Sequence, residues 1–408
     1  MVTNVSLATQ AGYYACEPII QREPPRAARH VKRKGICFMT CSSIDAASIA
    51  FEDAEVVNLM GKLSNAKSPS GFEEETLAAV KEFCEPFADF ERNSLMCGFI
   101  KPKNFSGTKP VVMLDAHGDE VGLMVKSIHA DGTLTFINLG GFSGGSTIGM
   151  EVLVRTTEGN WVRGVVGAKP PHFMTPAERE AGLAGMELKI DVGATSKQEA
   201  IEKFHMGVGE PVCPATTFHY QPEQRMMFGK AFDCRAGVAA MLLAMRELSK
   251  LDLPFDVVAS VSAQEEVGER GVASAVRHFN PSVCFMFEGA PADDTFGNPD
   301  DAQCCVNQGP MFRYADRCMI THPRYQRFVL DAAKQAGLPA QGAVRVGGGT
   351  DGGIAHLMDN GIPCVVAGVP CRYIHSNCAI ASIDDVMNTA RVAVASVAAL
   401  TPEVVTEF

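Results

Sequence analysis

Seven residues able to bind metals or move protons fall at the ends of apolar runs in this 408-residue chain. They are His117 and Asp119 in LDAHGDE, Asp233 in AFDCRAG, Glu265 and Glu266 in SAQEEVG, Glu288 in MFEGA and His375 in RYIHS. Adjacent carboxylates such as Glu265 and Glu266 repel, and burying either is costly without a cation or hydrogen bonds. Imidazole and carboxylate donors together suit zinc or a neighbouring divalent metal, with no cysteine required. Two ions about 3.5–4 Å apart need one bridging carboxylate and two terminal donors each. His117, Asp233, Glu288, Glu266 and His375 make that set if Asp233 bridges. Asp119 is placed to accept the second N–H of His117 and so fix its tautomer. Glu265 then stays free as a general base for water attacking a carbonyl, and returns the proton to the leaving amine. The competing reading is an exposed glutamate pair opening a helix over EEVGERG.

These residues need a scaffold that brings distant segments to one edge. KPVVMLD, FDVVASVSA, SVCFMFE and PCVVAGVP are short β-branched runs, expected as buried strands. Helical spacing lies between them in EVVNLMGKLSNA, AGVAAMLLAMRELSKL, GVASAVRHF and PRYQRFVLDAAKQAG. Strands alternating with helices predict an α/β fold whose mostly parallel sheet is covered on both faces. In such sheets ligands bind beyond the carboxyl ends of the strands, where the seven residues fall. Ser70 and Glu73 in SPSGFEEE match a capping box ahead of a helix. Residues 123–217 change character to short strands with glycine turns, predicting a small β-rich barrel or sandwich inserted into the α/β part. The expected organisation is an extension at 1–45, an α/β domain from 46–122 and 218–408, and the insertion. The extension carries the basic, proline-containing IIQREPPRAARHVKRKG and is expected to be disordered, with a targeting segment as the alternative.

The net charge of −11 argues against a nucleic-acid partner, which needs a basic surface. No apolar run reaches membrane-spanning length, so no membrane partner is expected. The 14 cysteines are scattered, without a C-x-x-C pair, which predicts free thiols and a cytoplasmic protein. The glycine-rich VGGGTDGG at 346–353 lacks the spacing and lysine of a phosphate loop and is expected as a turn.

SPSGFEEE, LDAHGDEVGLMV, GAKPPH, FDCRAG, SAQEEVGERG, GGTDGGIAHL and IPCVVAGVPCRYIHS occur in that order. Together they resemble the glutamyl/deblocking, TET-type (tetrahedral) family of dinuclear zinc aminopeptidases over about residues 53–395. The resemblance implies a zinc-aminopeptidase-like mixed sheet flanked by helices, with an inserted barrel-like domain through which subunits dimerise. It implies two divalent ions per subunit, zinc first and cobalt or manganese as alternatives. His117, Asp233 and Glu288 match the ligands of one ion; Asp233, Glu266 and His375 match those of the other. Glu265 matches the base and Asp119 the residue orienting His117. Thr350, Asp351, Arg372 and His322 are expected on the substrate side, with Asp351 near the free N-terminus. Peptide substrates and a homo-oligomer, a dimer or a tetrahedral dodecamer, follow from the same resemblance. Three positions depart from the family pattern: Gly118, expected to loosen the backbone behind His117; Cys234, where Asn is usual; and Glu288, where Asp is common. The alternative activity is an amidohydrolase acting on N-acyl amino acids or other small amides with the same metals.

Overall fold

The computed structural model describes residues 44–142, 144–182, 187–296 and 298–408. The expected extension lies almost wholly outside them. The architecture is a mixed sheet flanked by helices, with a closed barrel emerging from it. Four parallel strands form the sheet's centre, in the order Asp256–Ser262, Val111–His117, Val283–Pro291 and Cys364–Arg372. Every residue of Asp256–Ser262 is buried, which explains its unbroken apolar run.

Shorter antiparallel strands extend the sheet on both sides, Ala88–Arg92 and Gly98–Pro102 on one, and Ala379–Ser382, Met226–Gly229 and His219–Gln221 on the other. The strand Met311–Ala315 pairs antiparallel with Cys364–Arg372 off the main path and continues into Gln341–Val344. The long helix Phe232–Leu248 packs on the central strands and carries helices Asp53–Asn65 and Ile383–Ala398. Helix Val272–Phe279 packs into a separate core with Met113, Val258, Met286 and Val366. No helix among the described residues is long and apolar enough to cross a membrane.

The chain leaves the sheet after His117 and enters a closed, six-stranded antiparallel barrel. Its strands are Gly122–Ile128, Leu134–Leu139, Lys189–Asp191, Trp161–Gly167, Glu151–Arg155 and Pro211–Pro214, in that order around the barrel. Alternate residues, among them Leu123, Val125, Val152, Val154, Val166 and Ile190, fill its interior.

Two local expectations are corrected. Ser70 and Glu73 form no capping box, and helix Glu74–Cys84 begins without a side-chain cap. Ser70 instead donates its hydroxyl to Asp119 Oδ2 at 2.6 Å, a charged acceptor that outcompetes a backbone amide partner. Glu73 accepts from the backbone N–H groups of Gly71 and Gln264. Gly118 does not loosen the backbone behind His117. Its N–H donates to Ser262 O at 2.6 Å, and its carbonyl accepts from the Arg235 guanidinium. A Cβ there would lie 2.6 Å from Val261 Cγ1, so a larger residue would have to displace that side chain.

A buried ionic cluster secures the junction of sheet, helix and barrel. Lys230 Nζ lies 2.6 Å from Glu120 Oε1 and donates to Ala66 O, and both charged side chains are at most 2% exposed. Arg235 Nη2 stands 3.6 Å from the same carboxylate. Lys230→Met is expected to destabilise the fold by about 3 kcal/mol, because it strips a buried carboxylate of its nearest cation. Chemical denaturation reads this directly, and a loss below about 1 kcal/mol would show that Arg235 alone neutralises Glu120.

Candidate metal centre

His117 ends its strand, Glu265 and Glu266 follow Asp256–Ser262, Glu288 lies in Val283–Pro291, and His375 follows Cys364–Arg372. Asp233 enters from the first turn of helix Phe232–Leu248, where it and Cys234 have non-helical backbone angles. Two glycines permit this approach. A Cβ on Gly289 would sit 2.6 Å from Asp233 Cα, and one on Gly237 would sit 2.9 Å from the Glu288 nitrogen. Gln264 and His375 both adopt left-handed backbone conformations, φ 58° and 57°. Non-glycine residues hold that conformation at a cost, and such residues cluster at functional sites.

Asp233 stands at the centre. Its Oδ1 lies 3.2 Å from His117 Nε2 and its Oδ2 lies 3.3 Å from His375 Nε2. Glu288 Oε2 is 3.6 Å from His117 Nε2, and Glu266 Oε2 is 3.4 Å from His375 Nε2. Glu265 Oε2 is farther out, 3.9 Å from His117 Nε2. Donors on a tetrahedral ion at about 2.1 Å are about 3.4 Å apart, so the four closer spacings suit metal coordination. Two groups have donor atoms within 4.8 Å of one another: His117, Asp233, Cys234 and Glu288, and Asp233, Glu266 and His375. Cys234 is the addition to the expected set. Its thiol donates to Phe287 O at 3.3 Å, and burial holds its pKa well above the usual value.

The electrostatics ask for cations. Burial, reinforced by Asp233, pushes Glu266 up to about 8. Burial also raises Glu288 against the opposing charge of His117, and raises Glu265 well above the usual range. Burial disfavours the His375 cation, but Asp233 and Glu266 outweigh it and raise its pKa to about 9. Four carboxylates thus face two imidazoles, and Glu266 Oε1 is buried without a hydrogen-bond partner. Divalent ions would relieve that crowding, and the donor set fits them.

Asp119 organises the cluster from behind. Its Oδ1 lies 3.4 Å from His117 Nδ1 and accepts from the Glu265 N–H at 3.0 Å. Its Oδ2 accepts from the Glu266 N–H at 3.2 Å and from Ser70. Burial would raise its pKa, but the His117 contacts and the hydrogen bonds hold it below the usual range. One buried carboxylate therefore reaches the first histidine, as its two-residue spacing suggests, and also both glutamate amides, which no local pattern reveals. Ser70 lay in a quoted motif, yet its partner is 49 residues away.

The cluster opens into a cavity of 680 Å³. Glu269, Arg313, Arg317, Arg345 and Gly347–Gly349 also line it. The barrel reaches the cavity through Gly141, where a Cβ would lie 2.8 Å from His375 Nδ1. None of the four residues expected on the substrate side lines this cavity within the chain. Thr350 and Asp351 are buried behind the cluster, with burial and Asp115 raising Asp351 well above its usual pKa. Arg372 is held by both oxygens of Asp294 at 2.8 and 2.7 Å. His322 sits at the start of helix Pro323–Gln335, facing Phe408.

Residues 98–392 match the sequence profile of the family described as M42 glutamyl aminopeptidase. The chain is 32% identical to the glutamyl aminopeptidase of Lactococcus lactis subsp. cremoris, over 73% of this chain and 83% of that one. Among solved structures it resembles a TET aminopeptidase from the marine sediment archaeon Thaumarchaeota archaeon SCGC AB-539-E09. The TM-score is 0.82 and the identity 36%, covering 87% of this chain and 99% of that one. The Pyrococcus horikoshii TET1 peptidase, which can assemble into a tetrahedron or a large octahedral shell, gives a TM-score of 0.74 at 26% identity, over 84% and 99% of the two chains.

Proposed function

This chain belongs to the M42 glutamyl aminopeptidase family and is a peptide hydrolase, and we propose that it removes N-terminal residues from short peptides through a two-metal site. His117, Asp233 and Glu288 would hold one divalent ion, and Asp233, Glu266 and His375 the other. The donors favour zinc and also accept cobalt or manganese. A metal pair bound there supplies Lewis-acid polarisation of the scissile carbonyl and a more acidic water. Glu265, the carboxylate of the cluster left outside both donor groups, takes the proton of the attacking water and passes it to the leaving amine. Asp119 positions His117 and pins the backbone amides of Glu265 and Glu266, so the base and its neighbouring ligand keep one geometry.

The observation that carries this reading is Asp233, whose two oxygens each face a different histidine. That arrangement has little use in a structural ion pair, where both oxygens would be turned to one cation. The described cysteines are all free, which suits a reducing cytoplasm. By analogy with the shell-forming relative, the barrel would carry a dimer contact and dimers would assemble further, limiting entry to unfolded peptides.

The test is hydrolysis of amino-acyl p-nitroanilides and their N-acetylated forms by protein chelated and then titrated with zinc, cobalt or manganese. Activity should return only with metal, saturate at two equivalents and require a free α-amine. Cleavage of the acetylated compounds alone would replace this reading with an amidohydrolase acting through the same site.

A further inference from the structure

Three consecutive backbone N–H groups lead into the metal centre, and each ends on a buried carboxylate. Glu265 and Glu266 donate to the two oxygens of Asp119 at 3.0 and 3.2 Å. Gln264 donates to Glu73 Oε1 at 3.1 Å, across 191 residues of sequence. Asp119 and Glu73 are both fully buried. One short turn serves both, because Ser70 donates to Asp119 while the Gly71 N–H donates to Glu73 Oε1 at 2.8 Å. Asp119 also meets His117, whereas the hydrogen bonds that Glu73 accepts all come from backbone amides.

Glu73 does not serve its own helix. It immediately precedes Glu74–Cys84, where a side-chain acceptor would cap the free N–H groups, and it makes no such bond. Its carboxylate turns instead to Gln264, which holds φ 58°. A non-glycine residue keeps that left-handed conformation only where its surroundings impose it. On the far side the Gln264 carbonyl accepts from the Arg270 N–H at 3.3 Å, and Gln264 Oε1 accepts from Arg270 Nη1 at 3.2 Å. Gln264 is thus gripped from both sides, and the direction in which Glu265 leaves the strand is set at this one residue. Burial, reinforced by Asp119, pushes Glu73 up to about 8, so it acts as a neutral acceptor at pH 7. Its Oε2 is buried without a hydrogen-bond partner. A buried acid with an unpartnered oxygen costs stability, and the segments it joins are the 70–73 turn and the base loop.

Resting on the aminopeptidase reading, we infer that Glu73 is a positioning residue: it locks the left-handed turn at Gln264 and thereby aims the Glu265 carboxylate at the reacting water. Asp119 fixes the two amides that follow, so the base loop is held at three successive points by two acids. Without Glu73 the first of those points is free, and Gln264 can relax toward an ordinary backbone conformation. The Glu265 side chain would then swing with it. A displacement of about 1 Å at a reacting group costs on the order of a hundredfold in rate. Substrate contacts and metal donors lie elsewhere, so the loss falls on kcat.

Glu73→Met removes the acceptor at nearly constant volume, and Glu73→Gln keeps it. With the amino-acyl p-nitroanilide that metal-loaded enzyme cleaves fastest, Glu73→Met should lower kcat about ten- to a hundredfold. KM should stay within about twofold and metal content should be full. Glu73→Gln should recover most of the loss. In a Glu265→Gln background Glu73→Met should change the residual kcat by less than about twofold, because no base is left to position. Hydrogen exchange of the 260–271 segment in the same metal-loaded proteins reads the anchor without substrate. Protection of the Gln264–Glu266 amides should fall about tenfold in Glu73→Met and return in Glu73→Gln. That arm answers for the anchor even if no peptide is hydrolysed, so failure of the aminopeptidase reading is seen separately. Should Glu73→Met not fold, Glu73→Asp, whose acceptor is one methylene short of Gln264, gives the same comparison. The inference is overturned if kcat and protection stay at wild-type values, if kcat falls only in step with metal content or thermal stability, or if the loss is as large in the Glu265→Gln background.

Discussion

Glu265→Gln is expected to lower kcat by about a thousandfold while the protein keeps its full metal content, because the loss is confined to proton transfer. Gln preserves the shape and the backbone N–H bond to Asp119 at 3.0 Å, so the pinned amides remain in place. The side chain stands 3.9 Å from His117 Nε2, beyond the four closer contacts that define the two donor groups. Kinetics measured beside metal analysis of the same sample separates the alternatives. If metal content falls together with kcat, Glu265 is a ligand and the base lies elsewhere. If neither changes, the glutamate pair is structural.

The second large effect belongs to Asp233→Asn. The substitution keeps the volume and removes the charge that both histidines face at 3.2 and 3.3 Å. Both metal equivalents should weaken together, with activity falling more than about a thousandfold, since the same carboxylate serves two ions. Glu288→Gln and Glu266→Gln should each weaken one equivalent, because each faces a single histidine. Metal stoichiometry after dialysis distinguishes these patterns. Retention of one tightly bound equivalent in Asp233→Asn would show that Asp233 serves one ion and that something else joins the pair.

The central strands were legible because they are buried on both faces and therefore read as unbroken β-branched runs, as in DVVASVS. The helix Ile383–Ala398 is not legible in the same way: its four valines are β-branched and fit a strand as readily as a helix, so the local pattern leaves the element open. Between a barrel and a sandwich the sequence left the insertion open, since both use short alternating strands. Closure is decided by pairing of Gly122–Ile128 with Pro211–Pro214, which brings Leu123 opposite Val212.

The capping-box expectation at Ser70 failed for an instructive reason. A local pattern assigns a hydroxyl to the nearest backbone amide, whereas the folded chain offers it the buried charge of Asp119. On the substrate side, too, the fold adds partners that no local pattern shows. Arg372 looks available in CRYIHS, but Asp294 neutralises it from another segment. Arg313, Arg317 and Arg345 carry no motif at all, and they line one cavity only where the Met311–Ala315 strand and the 345–349 turn meet the sheet edge.

The sequence alone determined the chemical types at the strand ends and the sheet that would align them. Side-chain donors are intrinsic to residue type, and strand burial is written in local hydrophobic pattern. Only the tertiary structure decided which Asp233 oxygen meets which histidine, and that Asp119 also holds the backbone amides of both glutamates. Those features depend on ångström-scale distances between segments far apart in the chain, set by packing at glycines such as Gly237 and Gly289.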